Sequence, residues 1–518
     1  MSDIVRRNAN YFGDSEALVV PGSRVSTWSE VDERTNRLAR ALLELGLSKG
    51  DRLAAYMPNV PEYVEFFFAC AKSGIIGSAT NIRLTGGDLT SYLNLVEPSA
   101  ILVHSSLTEG AGWVQDVPSI SHVIGVGAGH GLDLDYDTLL AAQPGTDPGC
   151  DIDEQDIYQF GATSGTTGIP KAAMMTHRNA IAAITCWMAE MPYPERSTNL
   201  QNVPLFFNPG GPSGLNPVMM KGGRIVIFPA FEPGSFLHAI EDHGVTHAVL
   251  VPTMLGMVLN HPDVDKVDTS SLLAVNTGGS PVPGELLASA RERFGDIFYP
   301  LYGMAETYSC GAILRREDQY TEGTQEQVDR LLSVGLPMVL SQMRVVDADG
   351  KDVPKDSETA GEIWVGGDTV CKGYWRMPEE TAEVREGEWM KTGDVAVVDR
   401  EGFATIVDRT KDIIISGGIN VYSREVEEAF YDHPAVLQAA VIGIPHEKWG
   451  EAIHAVVVLK EGGEATVEEL QAFATERLAD FKKPRSVEVV EALPIGGTGK
   501  ILKKDLRAPY WEGQERAL

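Results

Sequence analysis

The chain has 518 residues, with 43 lysines and arginines against 73 aspartates and glutamates, and a formal net charge of −30. This length predicts two or more domains, because it exceeds what one hydrophobic core usually supports. The acidic balance disfavours non-specific binding to nucleic acid or to anionic membranes.

The first three fifths of the chain alternate between helical and strand-like patterns. The predicted helices are 27–47, 61–73, 177–190, 233–243 and 283–294, and the predicted strands are 52–57, 100–104, 122–126, 224–228, 246–251 and 297–301. Alternation of this kind is typical of a mostly parallel sheet covered by helices. The pattern therefore predicts an α/β fold with two α/β subdomains of similar size.

The later part of the chain has a different pattern. Between residues 334 and 408, short β-rich runs are separated by Gly, Asp and Pro turns, which indicates a small β subdomain. Beyond it, helices at 423–431 and 467–478 and strands at 435–443 and 451–459 indicate a separate small α+β domain. The predicted domains are 1–408 and 409–518.

The stretch from Phe160 to Lys171, FGATSGTTGIPK, contains four hydroxyls, three glycines and a lysine. Such a loop can direct backbone N–H groups, hydroxyls and a cation toward one phosphate group. It is not a Walker A loop, because Ile169 and Pro170 separate Gly168 from the lysine. A solvated surface turn is the alternative interpretation.

Other segments carry polar groups that suit a nucleotide, and each is a weak signal alone. Glu306 follows a predicted strand, where an α/β sheet can present a Mg2+ ligand to a polyphosphate. The glycine pair at 278–279 would let a flat ring or an acyl group approach the backbone. Asp394 suits ribose hydroxyls, and Arg409 suits a sugar or a phosphate. Lys500 lies in a glycine-rich segment that by composition alone is a solvated loop.

Blocks spread over nearly the whole chain resemble those of the adenylate-forming superfamily, which includes acyl- and aryl-CoA synthetases, luciferases and peptide-synthetase adenylation domains. They are TSGTTGIPK (163–171), GGSPV (278–282), YGMAET (302–307), GEIWVGG (361–367), KGYW (372–375), WMKTGD (389–394), DRTKDIIISGGINVY (408–422) and GTGKILKKDLR (497–507). The resemblance implies a large N-terminal domain of two α/β subdomains and a β subdomain. It also implies a small C-terminal domain that rotates on a hinge between formation of an acyl-AMP and its attack by a thiol.

The resemblance further assigns roles to single residues. Lys500 would approach the carboxylate and the α-phosphate in the first step, Glu306 would hold Mg2+, and Lys411 would lie at the hinge. Thr163 and Lys171 complete the predicted catalytic set. The implied nucleotide-binding residues are Thr163, Ser164, Gly165, Thr166, Thr167, Gly168, Lys171, Gly278, Gly279, Ser280, Tyr302, Gly303, Thr307, Asp394, Arg409 and Lys500. The predicted acyl and CoA pocket consists of Phe206, Phe207, Asn208, Gly210, Gly211, Gly214, Ser416, Gly417 and Gly418.

Four positions depart from the usual family pattern. Ala305 stands where Thr is common, which puts one α-phosphate hydrogen bond in doubt and leaves open whether Thr307 replaces it. Phe207 stands where many CoA ligases have a His at the gate of the acyl tunnel. Ala172 and Ser423 replace a common Gly and a common Pro, and both changes are expected to be tolerated.

The leading hypothesis is an ATP-dependent acid:CoA ligase for a medium-chain fatty or aromatic acid, with ATP, Mg2+ and CoA. The alternatives are an acyl-AMP ligase that loads a carrier protein, a stand-alone amino-acid adenylation domain, a luciferase-like oxygenase and a non-enzymatic nucleotide-binding regulator. The segment 206–208 offers no acid for an ammonium group, which disfavours an amino acid. The oligomeric state stays open, with a homodimer as one option.

Composition also bears on location. The five cysteines are scattered without metal-ligand or redox spacing, which fits a reducing compartment. The polar N-terminus shows no signal peptide, and Lys72 interrupts the apolar stretch at 66–79, so no membrane span is predicted. A cytoplasmic protein with small-molecule partners and no nucleic acid is expected.

Overall fold

The structure is a computed structural model that describes residues 1–109, 111–163, 170–207, 212–495 and 501–512. The chain divides into two compact units. The first contains Met1–Met343 and Val365–Met390, and the second contains Arg344–Trp364 and Lys391–Leu518. The domain boundary predicted between residues 408 and 409 marks the expected hinge, and it stays a prediction.

The helices are numbered in chain order. They are α1 (Asp3–Phe12), α2 (Trp28–Glu44), α3 (Pro61–Ser73), α4 (Gly86–Val96), α5 (Tyr136–Ala141), α6 (His177–Glu190), α7 (Pro212–Met220), α8 (Pro233–His243), α9 (Pro252–Leu259), α10 (Gly284–Phe294), α11 (Gln325–Asp329), α12 (Pro378–Glu383), α13 (Ser423–Tyr431), α14 (Val467–Arg477) and α15 (Lys503–Arg507).

The strands are numbered in the same way. They are β1 (Glu16–Val20), β2 (Arg24–Thr27), β3 (Arg52–Tyr56), β4 (Ile76–Ala79), β5 (Ala100–His104), β6 (His122–Val126), β7 (Leu134–Asp135), β8 (Ile157–Ala162), β9 (Ala172–Thr176), β10 (Thr198–Gln201), β11 (Arg224–Ile227), β12 (His247–Leu250), β13 (Ala274–Gly278), β14 (Phe298–Tyr302), β15 (Ala312–Ile313), β16 (Leu336–Pro337), β17 (Ser341–Val346), β18 (Gly361–Gly367), β19 (Arg385–Glu386), β20 (Trp389–Val398), β21 (Ala404–Arg409), β22 (Ile414–Ser416), β23 (Ile419–Val421), β24 (Val436–His446), β25 (Gly450–Leu459) and β26 (Ser486–Val489).

Two large sheets organise the first unit. The seven-stranded sheet has the order β7-β6-β5-β3-β4-β8-β9, parallel except for the antiparallel pair β8 and β9. The nine-stranded sheet has the order β16-β15-β14-β13-β12-β10-β11-β1-β2, with a parallel centre and antiparallel strands at both edges. Parallel strands buried on both faces need apolar runs, such as Ala100 to Val103, which is fully buried. The predicted α/β fold with two α/β subdomains is confirmed.

Local sequence signals fix the helix that supports the predicted phosphate loop. Thr176 ends β9 and caps α6, since its side chain accepts a hydrogen bond from the N–H of Asn179 while the Asn179 side chain accepts from the N–H of Thr176. This reciprocal cap satisfies two backbone donors that would otherwise lack partners. Helix α6 therefore begins at the residue after the end of β9, the strand that follows the predicted phosphate loop.

The remaining sheets are mainly antiparallel. One has the order β17-β18-β20-β19, with β21 paired to β20. The other has the order β23-β22-β25-β24, with β26 added parallel to β25, and α13 and α14 pack on it around a core that includes Phe430, Val441 and Leu470. This arrangement confirms the predicted small α+β domain. Among the residues that the structure describes, no helix combines the length and apolar character needed to cross a lipid bilayer.

Candidate active site

The predicted phosphate loop joins two antiparallel strands. β8 ends at Ala162, which pairs with Ala172 at the start of β9. The backbone N–H of Thr163 donates to the carbonyl of Lys171 at 3.0 Å, and the N–H of Lys171 donates to Thr163 Oγ1 at 3.3 Å. Two hydrogen bonds therefore close the loop at its base. The predicted phosphate contacts Ser164, Gly165, Thr166, Thr167 and Gly168 lie outside the described residues.

Glu306 lies in a short 3-10 turn, Ala305–Thr307, that follows β14, and it is 5% exposed. The turn contacts β8 and β9. The hydroxyl of Tyr374 donates to Glu306 Oε1 at 2.7 Å, and Lys171 Nζ lies 4.7 Å from the centre of the Tyr374 ring. Lys171, Tyr374 and Glu306 form one group at the base of the loop, which we call the carboxylate cluster.

Backbone pairing holds Tyr374 in this place. The N–H of Lys372 donates to the carbonyl of Met174, the N–H of Met174 donates to Gly373, and the N–H of Trp375 donates to Ala172, at 2.8 to 3.0 Å. Residues 372–375 therefore run along β9, beside the residue that follows Lys171. Burial and the Glu306 carboxylate raise the pKa of Tyr374, so its hydroxyl stays protonated and remains a donor.

Tyr374→Phe is expected to raise the Mg-ATP concentration needed for half-maximal pyrophosphate release by about tenfold. The reason is that Glu306 would lose a hydrogen bond to a charged group, which is worth about 1.5–3 kcal/mol. Initial rates at varied Mg-ATP measure the effect. Tyr320→Phe, which changes a 37% exposed tyrosine, is the control. An unaltered Mg-ATP requirement in Tyr374→Phe would count against this role.

The glycine pair 278–279 ends β13 at the edge where the parallel strands of the nine-stranded sheet terminate. A Cβ at Gly278 would lie 2.8 Å from the carbonyl oxygen of Leu301 on β14. The neighbouring strand therefore already requires glycine at position 278, and the predicted approach of a ligand there stays a prediction. Gly279 has a φ of +83°, which favours glycine, and it is exposed together with Ser280.

The end of β14 forms a compact turn at the same edge. Tyr302 is 8% exposed, and a Cβ at Gly303 would lie 2.4 Å from the carbonyl carbon of Ser309. The Thr307 hydroxyl lies 3.2 Å from both the N–H and the carbonyl of Met304, and Thr307 is 1% exposed. Thr307 would have to give up the bond it donates to the Met304 carbonyl to supply the α-phosphate hydrogen bond that the methyl side chain of Ala305 cannot make.

Phe206 and Phe207 of the predicted acyl pocket follow β10. Their ring centres are 4.6 Å apart, and the Arg83 guanidinium carbon lies 5.8 Å from the centre of the Phe207 ring. A cation thus lies beside the position where many CoA ligases carry His. Gly214 is buried in α7. Asn208, Gly210 and Gly211 lie outside the described residues.

In the second unit, Asp394 and Arg409 are register partners on β20 and β21. Arg409 Nε lies 3.3 Å from Asp394 Oδ1, and the Asp394 side chain is 18% exposed. Two residues predicted to bind the nucleotide therefore lie together. Burial, assisted by the positive charge of Arg409, lowers the pKa of the predicted hinge residue Lys411 to about 8.

Ser416, Gly417 and Gly418 form the end of the β22–β23 hairpin. Gly417 and Gly418 have φ values of +63° and +79°, as a two-residue hairpin turn with positive φ at both positions requires. A Cβ at Gly417 would lie 3.0 Å from the Trp449 ring. Both glycines are thus explained by the turn and by Trp449, and their predicted role at the pantetheine stays a prediction.

Lys500 lies outside the described residues, but the residues on both sides of 496–500 are described. Ile495 and Ile501 form an antiparallel bridge, and the N–H of Leu502 donates to the carbonyl of Pro494 at 2.8 Å. The two chain segments that flank 496–500 therefore lie side by side.

The predicted Mg2+ site is consistent with the donors that are present. Within the ranges that the structure describes, no group of three or more His, Cys, Asp and Glu side chains could hold a metal ion. Mg2+ in phosphoryl-transfer enzymes usually takes one or two carboxylates and completes its shell with phosphates and water. A single buried carboxylate that Tyr374 orients fits this chemistry.

Comparison with known proteins decides the family. Residues 5–375 match the AMP-binding enzyme family, and residues 425–500 match the AMP-binding enzyme C-terminal domain. The chain belongs to the AMP-binding enzyme family. The predicted membership in the adenylate-forming superfamily is confirmed.

Similar AMP-binding enzymes cover nearly the whole chain. A feruloyl-CoA synthase from Amycolatopsis sp. is 36% identical over 94% of this chain and 95% of its own length. A medium/long-chain-fatty-acid–CoA ligase from Mycobacterium tuberculosis is 33% identical over 95% of this chain and 87% of its own length. The crystal structure of ATP-bound MatB from Rhodopseudomonas palustris superposes with a TM-score of 0.87, at 26% identity, over 98% of this chain and 99% of that one. The predicted class, an AMP-forming acyl-CoA synthetase, is confirmed.

Sequence reasoning in this AMP-binding enzyme did not assign Tyr374, which the structure places beside Glu306, or Arg83, which lies beside the predicted pocket residue Phe207. Tyr374 lies in the KGYW block, to which the sequence analysis assigned no role. The available signal was that this block contains an aromatic residue with a hydroxyl. Arg83 follows β4, a strand that the sequence pattern did not reveal, so no signal pointed to it.

Proposed function

We propose that the chain is an ATP-dependent acid:CoA ligase that activates a medium-chain fatty or aromatic acid as acyl-AMP and then transfers the acyl group to CoA. The carboxylate cluster at the base of loop 163–171 carries this proposal, because it combines a cation and a buried carboxylate beside a loop rich in hydroxyls. The similar feruloyl-CoA synthase and medium/long-chain-fatty-acid–CoA ligase are named for an aromatic and an aliphatic acid, which supports a substrate of either kind.

In the first step, a carboxylate oxygen of the acid bonds to the α-phosphorus of ATP, and the bond from that phosphorus to the bridging oxygen breaks. Negative charge builds up on the departing pyrophosphate, so catalysis depends on preorganised positive groups. Lys171, whose Nζ lies over the Tyr374 ring, is suited to stabilise this charge, and the family resemblance assigns the donors of 163–168 to the same role. Mg2+ bound by Glu306 would supply further neutralisation when ATP binds. Lys500 would stabilise the charge at the α-phosphate.

In the second step, the thiolate of CoA bonds to the acyl carbon, and AMP leaves with the electron pair of the broken carbon–oxygen bond. We assign Tyr302 to the adenine, Asp394 to the ribose hydroxyls and Arg409 to the nucleotide. Ser416 to Gly418 are assigned to the pantetheine arm. These roles rest on the family resemblance, and the Asp394–Arg409 contact at 3.3 Å supports the second and third of them.

A panel of carboxylic acids tests the substrate proposal. We expect medium-chain fatty acids or hydroxycinnamate-type aromatic acids to release pyrophosphate from ATP, because Phe206 and Phe207 offer apolar surface. Pyrophosphate release measured with and without CoA also identifies the acceptor, since a ligase for CoA consumes it in step with AMP release. Activation of acetate or a dicarboxylate alone would overturn the proposal for the acid. Acyl-AMP formation without any reaction with CoA would instead favour a carrier-protein acceptor.

We also infer a reducing compartment, with the cytoplasm as the expected location. All five cysteines are free thiols, and Cys70, Cys186, Cys310 and Cys371 are buried. Burial, with the nearby Glu306 charge, raises the pKa of Cys371 to about 12, so this thiol is inert at neutral pH. A homodimer stays a prediction.

A further inference from the structure

The turn that carries Glu306 contains two consecutive residues in the left-handed region of backbone conformation. Tyr308 and Ser309 have φ values of +54° and +63°. In the part of the chain that the structure describes, they are the only neighbouring pair of non-glycine residues with positive φ. Residues other than glycine adopt this conformation at a cost, because their Cβ approaches the following carbonyl oxygen. Such residues persist only where the surrounding structure enforces them.

Backbone hydrogen bonds enforce the conformation of this turn. β14 and β15 pair in antiparallel register on either side of it, so the chain must reverse direction between residues 302 and 312. The N–H of Ser309 donates to the carbonyl of Met304 at 3.0 Å, and the N–H of Cys310 donates to the carbonyl of Thr307 at 2.9 Å. The two bonds close the reversal and leave the residues between them little freedom.

The side chain of Tyr308 explains why glycine does not occupy this position. Tyr308 is fully buried, and burial, assisted by the nearby Tyr158 on β8, raises its pKa well above the ordinary value. Burial of a tyrosine ring contributes stability that offsets the cost of the left-handed backbone. Ser309 is 5% exposed, so both residues lie inside the protein. Packing therefore holds the turn as well as hydrogen bonding.

Glu306 is attached to segment 371–374 by its backbone and by its side chain. Its carbonyl accepts a hydrogen bond from the N–H of Cys371 at 2.8 Å, and its carboxylate accepts from the Tyr374 hydroxyl at 2.7 Å. A charged group that is already in place needs no reorganisation when its ligand binds. The restricted backbone at Tyr308 and Ser309 supplies the same rigidity on the C-terminal side of Glu306.

We propose that Ser309, together with Tyr308, is a positioning residue whose left-handed backbone keeps the Glu306 carboxylate in place before Mg-ATP binds. The proposal rests on the metal-binding role proposed above for Glu306. The physical reason is conformational entropy, because a residue with a Cβ has fewer accessible backbone conformations than glycine. A turn with glycine at position 309 would visit other conformations, and binding would have to remove that freedom.

Ser309→Gly and Ser309→Ala test the proposal in the full-length protein, because both remove the hydroxyl and only glycine removes the restriction on the backbone. We expect Ser309→Gly to bind Mg-ATP about two- to fivefold more weakly than Ser309→Ala, which is the effect of the glycine–alanine difference in backbone entropy on an equilibrium. Titration calorimetry measures this binding without turnover. Without nucleotide, the amide hydrogens of residues 303–311 should exchange with deuterium faster in Ser309→Gly than in Ser309→Ala.

The melting temperature separates positioning from a general loss of structure. Ser309→Gly relieves the cost of the left-handed conformation, so its melting temperature should equal or exceed that of Ser309→Ala. Ser357→Gly is the matched control, since Ser357 is exposed and has a φ of +62° in another loop, and it should leave Mg-ATP binding unchanged. Equal Mg-ATP binding by the two Ser309 variants would overturn the proposal. Weaker binding by Ser309→Gly together with a lower melting temperature would also overturn it.

Glu306→Gln, measured beside these variants, separates the positioning role from the metal-binding role. If Glu306→Gln reduces the effect of Mg2+ on ATP binding while Ser309→Gly binds Mg-ATP as Ser309→Ala does, only the positioning role fails. If Mg2+ strengthens ATP binding equally in Glu306→Gln and in the unmodified protein, the proposed role of Glu306 fails as well.

Discussion

Lys500→Ala is expected to slow acyl-AMP formation by about 10²–10³-fold or more, because one preorganised cation at a centre of developing charge is worth that much. The thiol step should proceed at nearly the normal rate when acyl-AMP is supplied, because we assign Lys500 to the first half-reaction alone. Pyrophosphate release and CoA consumption from synthetic acyl-AMP measure the two steps.

Two controls make this result interpretable. Lys504→Ala removes an equal charge from an exposed position in the same terminal segment and should leave pyrophosphate release unchanged. The melting temperature of Lys500→Ala should equal that of the unmodified protein. Equal losses in both half-reactions would refute the assignment of Lys500 to the first step alone.

Glu306→Gln should lower the rate of pyrophosphate release by about 10²-fold at ordinary Mg2+ concentrations. The substitution keeps the size of the side chain and an oxygen that can accept from Tyr374 at 2.7 Å, so the turn Ala305–Thr307 should persist. It removes the negative charge with which Glu306 is proposed to bind Mg2+. Titration calorimetry of ATP with and without Mg2+ gives a reading that does not depend on turnover.

Glu317→Gln, which changes an exposed carboxylate close in the sequence, is the matched control for Glu306→Gln. We expect Mg2+ to strengthen ATP binding in the control and to have a much smaller effect in Glu306→Gln. An undiminished effect of Mg2+ on binding in Glu306→Gln would mean that the metal is held by other groups.

Much of the fold was predictable where local signals are complete. α6, α8 and α13 lie at the predicted residues, and α8 begins at Pro233 and ends before Gly244, which has a φ of +57°. β10 was not predicted, because its sequence TNLQ is polar although all four residues are buried. Its polar side chains have partners inside the protein, such as the bond from the Gln201 side chain to the Val203 carbonyl, and such pairing has no local sequence pattern.

The candidate site was likewise predictable only where the sequence carries a local signal. A carboxylate after a strand near a phosphate loop follows from the rule for α/β sheet edges, and Glu306 contacts the hairpin as that rule predicts. Tyr374 was out of reach, because its place depends on pairing between 372–375 and β9, strand partners far apart in the sequence. The need for glycine at position 278 could not be predicted either, because it arises from the close approach of the Leu301 carbonyl on the neighbouring strand.

The pairing of residues 372–375 with β9 has a consequence for the order in which the enzyme is made. A nascent chain that has emerged only as far as β16 contains every strand of both large sheets, yet it lacks the tyrosine hydroxyl that orients Glu306. Full affinity for Mg-ATP should therefore arise late in translation, after the strands of both large sheets have been made. Chains released from the ribosome before Lys372 should bind Mg-ATP more weakly than the full-length protein.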